Sequence, residues 1–313
     1  TMAVAELDRE ALASIEEESP WKIIFKRFRK HKLALAGIVT IVLIALACFF
    51  ASWVAPYDPI RDIAKDENGQ IIKNAPPSLE HLMGTDNIGR DIFSRLLYAG
   101  RISLSVAFIV TIISIIIGVL VGAFSGYYGG RIDDVIQRFV EFLITIPLLP
   151  LLLAFSALLR DMTIPGLPRE WSSAVVITII LTVFGWMSAA ILIRGMVLSL
   201  RNQAFTEAAR AMGLGNTGII LRHMIPNSLA PIIVAATLEL GGVIIYESAL
   251  SFLGFGIQPP VPTWGNMLYE YQNEMWTQPA KVFFPGLMIF VCVLAFNYIG
   301  DGLRDAMDPR LKH

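Results

Sequence analysis

Residues 102–124 read ISLSVAFIVTIISIIIGVLVGAF, an uninterrupted apolar stretch without a single charged side chain. A helix needs about 20 mostly apolar residues to cross a hydrocarbon core of about 30 Å. A lipid-exposed segment must also satisfy its own backbone hydrogen bonds, which a helix does, and the alternation typical of a membrane β-barrel is absent here. The stretch therefore predicts a membrane-spanning helix.

Five further apolar windows of comparable length occur in the 313-residue chain, at 33–55, 142–159, 172–193, 231–253 and 282–299, and of these 231–253 alone contains charged side chains. Hydrophobic residues make up 55% of the chain and charged residues 16%, with a mean hydropathy of +0.62. Ordinary globular chains carry roughly 25% charged residues. The window at 33–55 is longer than the roughly 7–15 apolar residues of a signal peptide, so it is interpreted as a membrane span. The sequence thus predicts an all-α, polytopic membrane protein with six transmembrane helices.

The distribution of basic residues predicts the orientation. With the N-terminus inside, 16 of the 25 Lys and Arg residues fall on the inner side and nine on the outer side. The positive-inside rule then places both termini in the cytoplasm.

The formal net charge of −1 gives no basic field that would attract nucleic acid.

These windows divide the chain into four segments. The segments are a cytoplasmic tail with an interfacial amphipathic helix (1–32), a first transmembrane helix with an extracytoplasmic loop (33–101), a five-helix core with a cytoplasmic loop at 205–227 (102–303), and a cytoplasmic C-terminal tail (304–313). The amphipathic helix is predicted because Trp21, Ile24, Phe25 and Phe28 recur at helical spacing among basic residues. Such a helix lies along the inner leaflet.

Small residues and prolines predict how the spans pack and bend. Gly118, Gly122 and Gly126 are four residues apart, so they share one helix face and let a second backbone approach closely. Pro147 and Pro150 each remove a helical hydrogen bond, so the third span is predicted to be kinked.

Two outer segments carry local signals. A cap at residues 85–86 predicts a short amphipathic helix that ends at Gly100, with Asp86 and Arg90 spaced as an i, i+4 ion pair. The Gly- and Pro-rich segment before Trp264 predicts a rigid extended chain with an aromatic side chain at the membrane interface.

The cytoplasmic loop 205–227 reads FTEAARAMGLGNTGIILRHMIPN. Its pattern predicts two short helices separated by a glycine-containing break at 213–218, with Pro226 ending the second helix before the next span. A force on these helices would pass directly into the flanking spans. A dinucleotide-binding fingerprint has the same glycine spacing as Gly213, Gly215 and Gly218. That motif follows a strand, whereas this one follows a helix, so nucleotide binding by this chain is not expected.

The same loop resembles the E-A-A…G…L-P coupling loop in the membrane subunits of binding-protein-dependent ABC importers, although His223 and Ile225 depart from the usual residues. Four more blocks, at 81–91, 125–133, 251–265 and 296–310, resemble the second (C-type) permease of the oligopeptide/dipeptide/nickel importer family. The residues that the resemblance assigns to ATPase coupling are Glu207, Ala208, Ala209, Gly213, Arg222, His223 and Pro226.

This resemblance implies the type I ABC importer permease fold in a bacterial or archaeal plasma membrane. It also implies a homologous second permease subunit, two cytoplasmic ATPase subunits that bind ATP and Mg, and an extracytoplasmic solute-binding protein that delivers peptides. The chain itself is expected to have no catalytic residues and no cofactor. Nickel or another small solute is an alternative cargo.

Two glutamates lie within the fifth apolar window and are candidates for the substrate path. Ionisable side chains are expensive inside a membrane and mark functional sites by default. Glu239 and Glu247 are eight residues apart and could border one water-filled path, with Glu247 favoured. The alternative is a glutamate hydrogen-bonded to a neighbouring helix.

Other functional classes receive less support from the sequence. All four histidines lie outside the spans, and the two cysteines match no metal-ligand spacing, so no metal site is expected. An ion-driven secondary transporter or channel would show inverted repeats with broken helices, which are not evident. A membrane enzyme would need a paired catalytic constellation, and none is recognised.

Overall fold

The computed structural model describes residues 20–307 of the chain, so the acidic tail that precedes residue 20 lies outside the described residues. The described part is helical, with three isolated antiparallel bridges in the loop before residue 92. Its helices are α1 (Pro20–Phe28), α2 (Lys32–Phe49), α3 (Ala51–Val54), α4 (Ile92–Tyr128), α5 (Gly130–Thr145), α6 (Leu148–Leu158), α7 (Arg169–Gly185), α8 (Met187–Leu200), α9 (Ala204–Ala211), α10 (Asn216–Ile219), α11 (Ile225–Asn227), α12 (Leu229–Phe252), α13 (Trp264–Tyr271) and α14 (Ala280–Met307).

Five segments are long and apolar enough to cross a membrane, namely α2, α4, α7 with α8, α12 and α14. The predicted span at 142–159 is divided between α5 and α6, which meet at an angle of 86°. If this bent pair counts as one span, the total is six, in agreement with the prediction.

The bend occurs at Pro147, as the sequence indicates. Ile146 adopts an extended conformation, which is the preference of a residue before proline, and α6 begins immediately after Pro147. Pro150 does not add a second kink, because it lies in the first turn of α6, where the backbone amides have no intrahelical partner.

Helix α4 contains 37 residues and forms the centre of the bundle, where it contacts α2, α7, α8 and α12. The side chain of Asp91 caps its first turn by accepting a 2.7 Å hydrogen bond from the amide of Ser94. The prediction of a short helix ending at Gly100 is wrong, since α4 continues through this glycine. The boundary placed at residue 101 therefore falls inside one helix.

Close packing explains the glycine within this helix. A Cβ atom at Gly100 would lie 2.6 Å from the indole ring of Trp264. Trp264 is fully buried and donates a 3.1 Å hydrogen bond from Nε1 to the carbonyl of Leu96. The prediction of an interfacial tryptophan is wrong, because the Gly- and Pro-rich segment folds back over the bundle and inserts Trp264 between the helices.

Helix α1 packs on the end of α14 through one apolar face. Phe28 is buried and, with Ile24, contacts Leu303 and Ala306, whereas Phe25, at the edge of the same apolar face, is 62% exposed. Contact of the exposed Phe25 side of α1 with the inner leaflet stays a prediction. Helix α14 extends to Met307, four residues into the predicted C-terminal tail.

Candidate functional site

The loop between the fourth and fifth spans is built from four short helical pieces. Helix α9 is followed by a break at 212–215, then by α10, a π-helical turn at Ile220–Met224 and α11. Two helical parts separated by a break are present as predicted, but the second part begins at Asn216, inside the predicted break of 213–218. We call residues 204–227 the coupling loop.

One face of the coupling loop packs against the bundle. Ala209, Ile219, Ile220 and Met224 are at most 1% exposed. They form a cluster with the ends of two long helices, namely with Val119, Ala123 and Tyr127 of α4 and with Ile193 and Val197 of α8. The buried face of the coupling loop is therefore close-packed against the ends of both helices.

The other face of the coupling loop is accessible. Glu207, Ala208, Arg222 and Pro226 are exposed, and Met212 is 73% exposed. Of the residues assigned to coupling, Ala209 is the one that the structure places in the packed interface, while His223 is partly buried. The exposed face combines apolar and charged groups without covering contacts from the described part of the chain.

Gly213 forms the turn between the two helical parts. Its φ of +84° lies in the left-handed region, and its amide donates a 3.0 Å hydrogen bond to the carbonyl of Arg210. A Cβ atom there would meet no described atom within 4 Å. The requirement for glycine is therefore conformational rather than steric.

Pro226 does not end the second helical part, contrary to the prediction. It lies in the first turn of α11, where a missing amide is tolerated, and the chain continues into α12 after Ser228 alone. Just before the proline, the amide of Ile225 donates to the carbonyl of Ile220, five residues earlier. The π-helical turn therefore joins the coupling loop to α12 almost without interruption.

Tyr127, at the end of α4, connects the two sides of the break. Its hydroxyl donates to Oδ1 of Asn216 at 3.1 Å and accepts from Nη2 of Arg210 at 3.4 Å. Arg210 belongs to α9 and Asn216 begins α10, so one side chain of the central helix contacts both helical parts. The sequence analysis did not identify this residue.

An ion pair joins α5 to α8 beside the coupling loop. Nε and Nη2 of Arg194 donate to Oδ1 and Oδ2 of Asp133, each at 2.5 Å. The hydroxyl of Ser125 on α4 donates to the same carboxylate. Three helices therefore meet at one bidentate pair, which the sequence analysis also missed because the partners are far apart in the chain.

We expect Asp133→Asn and Arg194→Gln each to lower the free energy of unfolding by about 2 kcal/mol, because charge-assisted hydrogen bonds to a largely buried carboxylate are lost. The double variant should lose little more than either single variant, since both changes remove the same pair. Thermal unfolding of the purified protein measures this effect. Asp134→Asn, at the exposed neighbouring residue, is the matched control. Additive losses would show that the pair contributes nothing jointly.

The glycines predicted to mediate helix packing face α8. A Cβ atom at Gly118 would lie 2.6 Å from the carbonyl oxygen of Trp186, and one at Gly126 would lie 2.8 Å from that of Arg194. One at Gly122 would overlap the carbonyl oxygen of Ala190. The two backbones therefore approach closely along three turns.

The two intramembrane glutamates occupy different environments. Glu247 is 1% exposed, and its carboxylate accepts hydrogen bonds from Ser251 at 2.8 Å and from Ser103 at 3.2 Å. These hydroxyls in turn accept from the amides of Ile257 and Trp264. Glu247 thus anchors the segment before α13 to α4 and α12. Glu239 is partly exposed and lies beside Gly185 of α7.

A network of charges closes the end of the bundle opposite the coupling loop. Arg90 donates to Asp86 at 2.6 Å and to Glu270 at 2.7 Å, and Arg95, which is fully buried, donates to the same oxygen of Glu270 at 2.7 Å. The predicted Asp86–Arg90 pair is present, but in a turn rather than in a helix. Burial raises the pKa of the neighbouring Tyr271 phenol above its ordinary value, so Tyr271 stays neutral.

No group of three or more His, Cys, Asp or Glu residues that could hold a metal ion occurs between residues 20 and 307. His31 caps α2 by accepting from the amide of Ala34 at 3.1 Å, and His81 lies 2.9 Å from Asp91. Both side chains therefore have structural contacts, and His223 lies in the coupling loop.

Two family models match the sequence. The model described as the binding-protein-dependent transport system inner membrane component matches residues 115–313, and the N-terminal TM domain of oligopeptide transport permease C matches residues 19–77. The inward-facing MetNI methionine ABC transporter has a chain with a TM-score of 0.47 and 20% identity, covering 68% of this chain and 97% of that chain.

Full-length relatives are considerably more similar in sequence. The dipeptide transport system permease protein DppC of Alkalihalophilus pseudofirmus is 40% identical over 294 residues, which cover 94% of this chain and 91% of the relative. The glutathione transport system permease protein GsiD is 40% identical in Shigella flexneri and 39% identical in Escherichia coli O157:H7, in each case covering 94% of this chain and 92% of the relative. The chain therefore belongs to the family of binding-protein-dependent transport system inner membrane components, and it is a multi-pass permease subunit of an ABC importer in the bacterial plasma membrane.

Proposed function

We propose that this chain forms half of a pathway that imports peptides across the plasma membrane, together with a homologous second permease subunit. The names of the relatives support a peptide cargo, since one is a dipeptide permease and another a permease for glutathione, itself a small peptide. The pathway itself needs no catalytic residue and no cofactor on this chain.

The coupling loop is the proposed docking site for one of two cytoplasmic ATPase subunits, which bind ATP and Mg and perform the hydrolysis. The observation that supports this role is the division of the loop into two faces. The buried face packs on α4 and α8, whereas the face with Glu207, Ala208 and Met212 is open. A structured, accessible loop fixed to two spans is suited to transmit motion from a partner into the bundle.

The predicted orientation supports the same arrangement. The positive-inside rule places the coupling loop and both termini in the cytoplasm. The segments at 56–91, 159–168 and 253–279 then lie outside, where they would receive peptide from a solute-binding protein. ATP binding shifts such a transporter between states only if the ATPases bind the coupling loop differently in each state.

A cysteine cross-linking experiment tests the docking. Ala208 is exposed, whereas its neighbour Ala209 is 1% exposed. In the complex assembled with its ATPase subunits, we expect Ala208→Cys to cross-link to a cysteine placed in the ATPase, and Ala209→Cys to remain unreacted. Equal cross-linking at both positions, or none at Ala208→Cys, would contradict the proposed docking.

Uptake into proteoliposomes tests the cargo. We expect ATP and a loaded binding protein to be required together for the accumulation of a dipeptide. Accumulation of nickel or another small solute in place of peptide would support the alternative cargo.

A further inference from the structure

Glu239 lies near the middle of a membrane-spanning helix. It is ten residues after the start of α12 and 13 before its end, which at 1.5 Å per residue corresponds to about 15 Å and about 20 Å. A carboxylate at this depth is costly unless it has a polar partner or contacts water.

The described part of the chain supplies no such partner. Throughout the described range, 20–307, the carboxylate of Glu239 forms neither a hydrogen bond nor an ion pair. Glu247, on the same helix, provides an internal comparison, since its carboxylate is enclosed and accepts from the hydroxyls of Ser103 and Ser251. The hydroxyls of the described chain thus satisfy Glu247, whereas the carboxylate of Glu239 is left without a partner among the described residues.

Glu239 borders the uncovered face of α12. Leu238 and Ile245 on that face are 41% and 48% exposed. Gly242, three residues after Glu239 and one turn along the helix, has open space where a Cβ atom would point. A ligand can therefore approach the carboxylate from this side.

The carboxylate of Glu239 lies beside a glycine of α7 and a serine hydroxyl of α4. A Cβ atom at Gly185 would lie 3.3 Å from Oε1 of Glu239 and 2.6 Å from Oγ of Ser114, so both groups pack against this glycine. Thr111 shares a helix face with Ser114, and its buried hydroxyl has no hydrogen-bond partner in the described residues. The carboxylate and the Ser114 hydroxyl therefore lie together against α7 in the middle of the span, with the Thr111 hydroxyl one turn away along α4.

We infer that Glu239 is a contact for the protonated amino group of the transported peptide, an inference that rests on the proposed import function. Hydrocarbon solvates a carboxylate poorly, so this uncovered face is best suited to border an aqueous path shared with the second permease subunit. An ammonium group forms a charge-assisted hydrogen bond with a carboxylate, and the neighbouring Ser114 hydroxyl oxygen can accept a second hydrogen bond from it. The ranking of the two acids is therefore reversed, with Glu239 in the path and Glu247 in a structural role.

Thiol modification in the assembled complex tests the site directly. In a Gly242→Cys variant, we expect a cationic water-soluble thiol reagent to react about tenfold faster than an anionic one, because the Glu239 carboxylate attracts it. Adding Glu239→Gln should abolish this preference, whereas adding Glu247→Gln should preserve it. A cysteine that neither reagent modifies in any nucleotide state, or a preference independent of Glu239, would overturn the proposal.

Protection of the cysteine from modification distinguishes a peptide amino group from an inorganic cation as the ligand of Glu239. A dipeptide with a free amino group should slow the modification of Gly242→Cys during turnover, and replacing sodium with another monovalent cation should not change the rate. Protection by sodium in the absence of peptide would identify an inorganic cation site and overturn the proposal.

Transport assays distinguish a failure of the inference about Glu239 from a failure of the proposed import function. We expect Glu239→Gln to reduce peptide uptake about tenfold or more while the loaded binding protein still stimulates ATP hydrolysis, and Glu239→Asp to restore part of the uptake. If the unsubstituted complex imports no peptide, the proposed function fails. If it imports peptide and Glu239→Gln imports it equally well, the inference about Glu239 fails alone.

Discussion

Replacing Gly213 with proline is expected to reduce ATP-driven uptake to background while the permease still inserts and pairs. Proline fixes φ near −65°, whereas Gly213 has a φ of +84°. Proline also removes the amide that donates to Arg210, and it disfavours the conformation of Met212, which has φ −75° and ψ 0°. The turn between α9 and α10 cannot form, so motion of a docked ATPase no longer reaches both helical parts together.

The same substitution two residues later is the matched control. Gly215 has a φ of −67°, which proline adopts without strain, and a Cβ atom there has open space. Gly215→Pro should keep most of the uptake. Gly213→Asn should fall between the two, because asparagine tolerates the left-handed region better than other residues with side chains.

Uptake in proteoliposomes and co-purification of the subunits measure the two effects separately. Normal uptake by Gly213→Pro would refute the coupling role of the loop. Loss of uptake together with loss of membrane insertion would show that the turn is needed for folding, which would also contradict the expected result.

Replacing Gly122 with alanine is expected to destabilise the bundle by about 2 kcal/mol, and replacement with leucine to prevent its assembly. The added Cβ atom would overlap the carbonyl oxygen of Ala190 and lie 3.0 Å from its Cα atom. Both contacts are with backbone, which cannot move aside as a flexible side chain can. Overpacking at such a contact typically costs about 1–3 kcal/mol.

A glycine on the partner helix provides the control. Gly195 of α8 has no described atom within 4 Å of a Cβ position. Gly195→Ala should therefore be neutral or slightly stabilising, because alanine is the better helix former by about 1 kcal/mol. Thermal unfolding of the purified complex measures both variants, and equal stability of Gly122→Ala and the unsubstituted protein would contradict the role of this contact.

Local chemistry explains the parts of the fold that the sequence predicted. Long apolar windows mark the spans, because hydrocarbon favours apolar side chains whatever the neighbouring helices are. Pro147 marks the bend, because it restricts Ile146 and lacks an amide. Gly213 marks a turn, because glycine enters the left-handed region without strain. Each of these effects depends on the residue itself and on its neighbours in the chain.

Contacts between distant segments explain the parts that sequence reasoning missed. From the sequence alone, Gly100 indicates the end of a helix. In the structure it lies inside α4, where the lack of a side chain leaves room for Trp264. Asp133 and Arg194 look like separate surface charges until α5 and α8 bring them together. The signal for such pairs lies in the packing of the helices, which no local pattern contains.

The amino-acid sequence by itself determined that the chain is an all-helical membrane protein, and its motifs identified the importer family, while the coupling role of the loop at 205–227 stays a prediction. Only the tertiary structure decided which loop residues face the bundle and which of the two glutamates is open. The physical reason is that composition and backbone preference act over a few residues. Burial and hydrogen-bond satisfaction depend on which helices come to lie side by side, as Ser103 of α4 does beside Glu247 of α12.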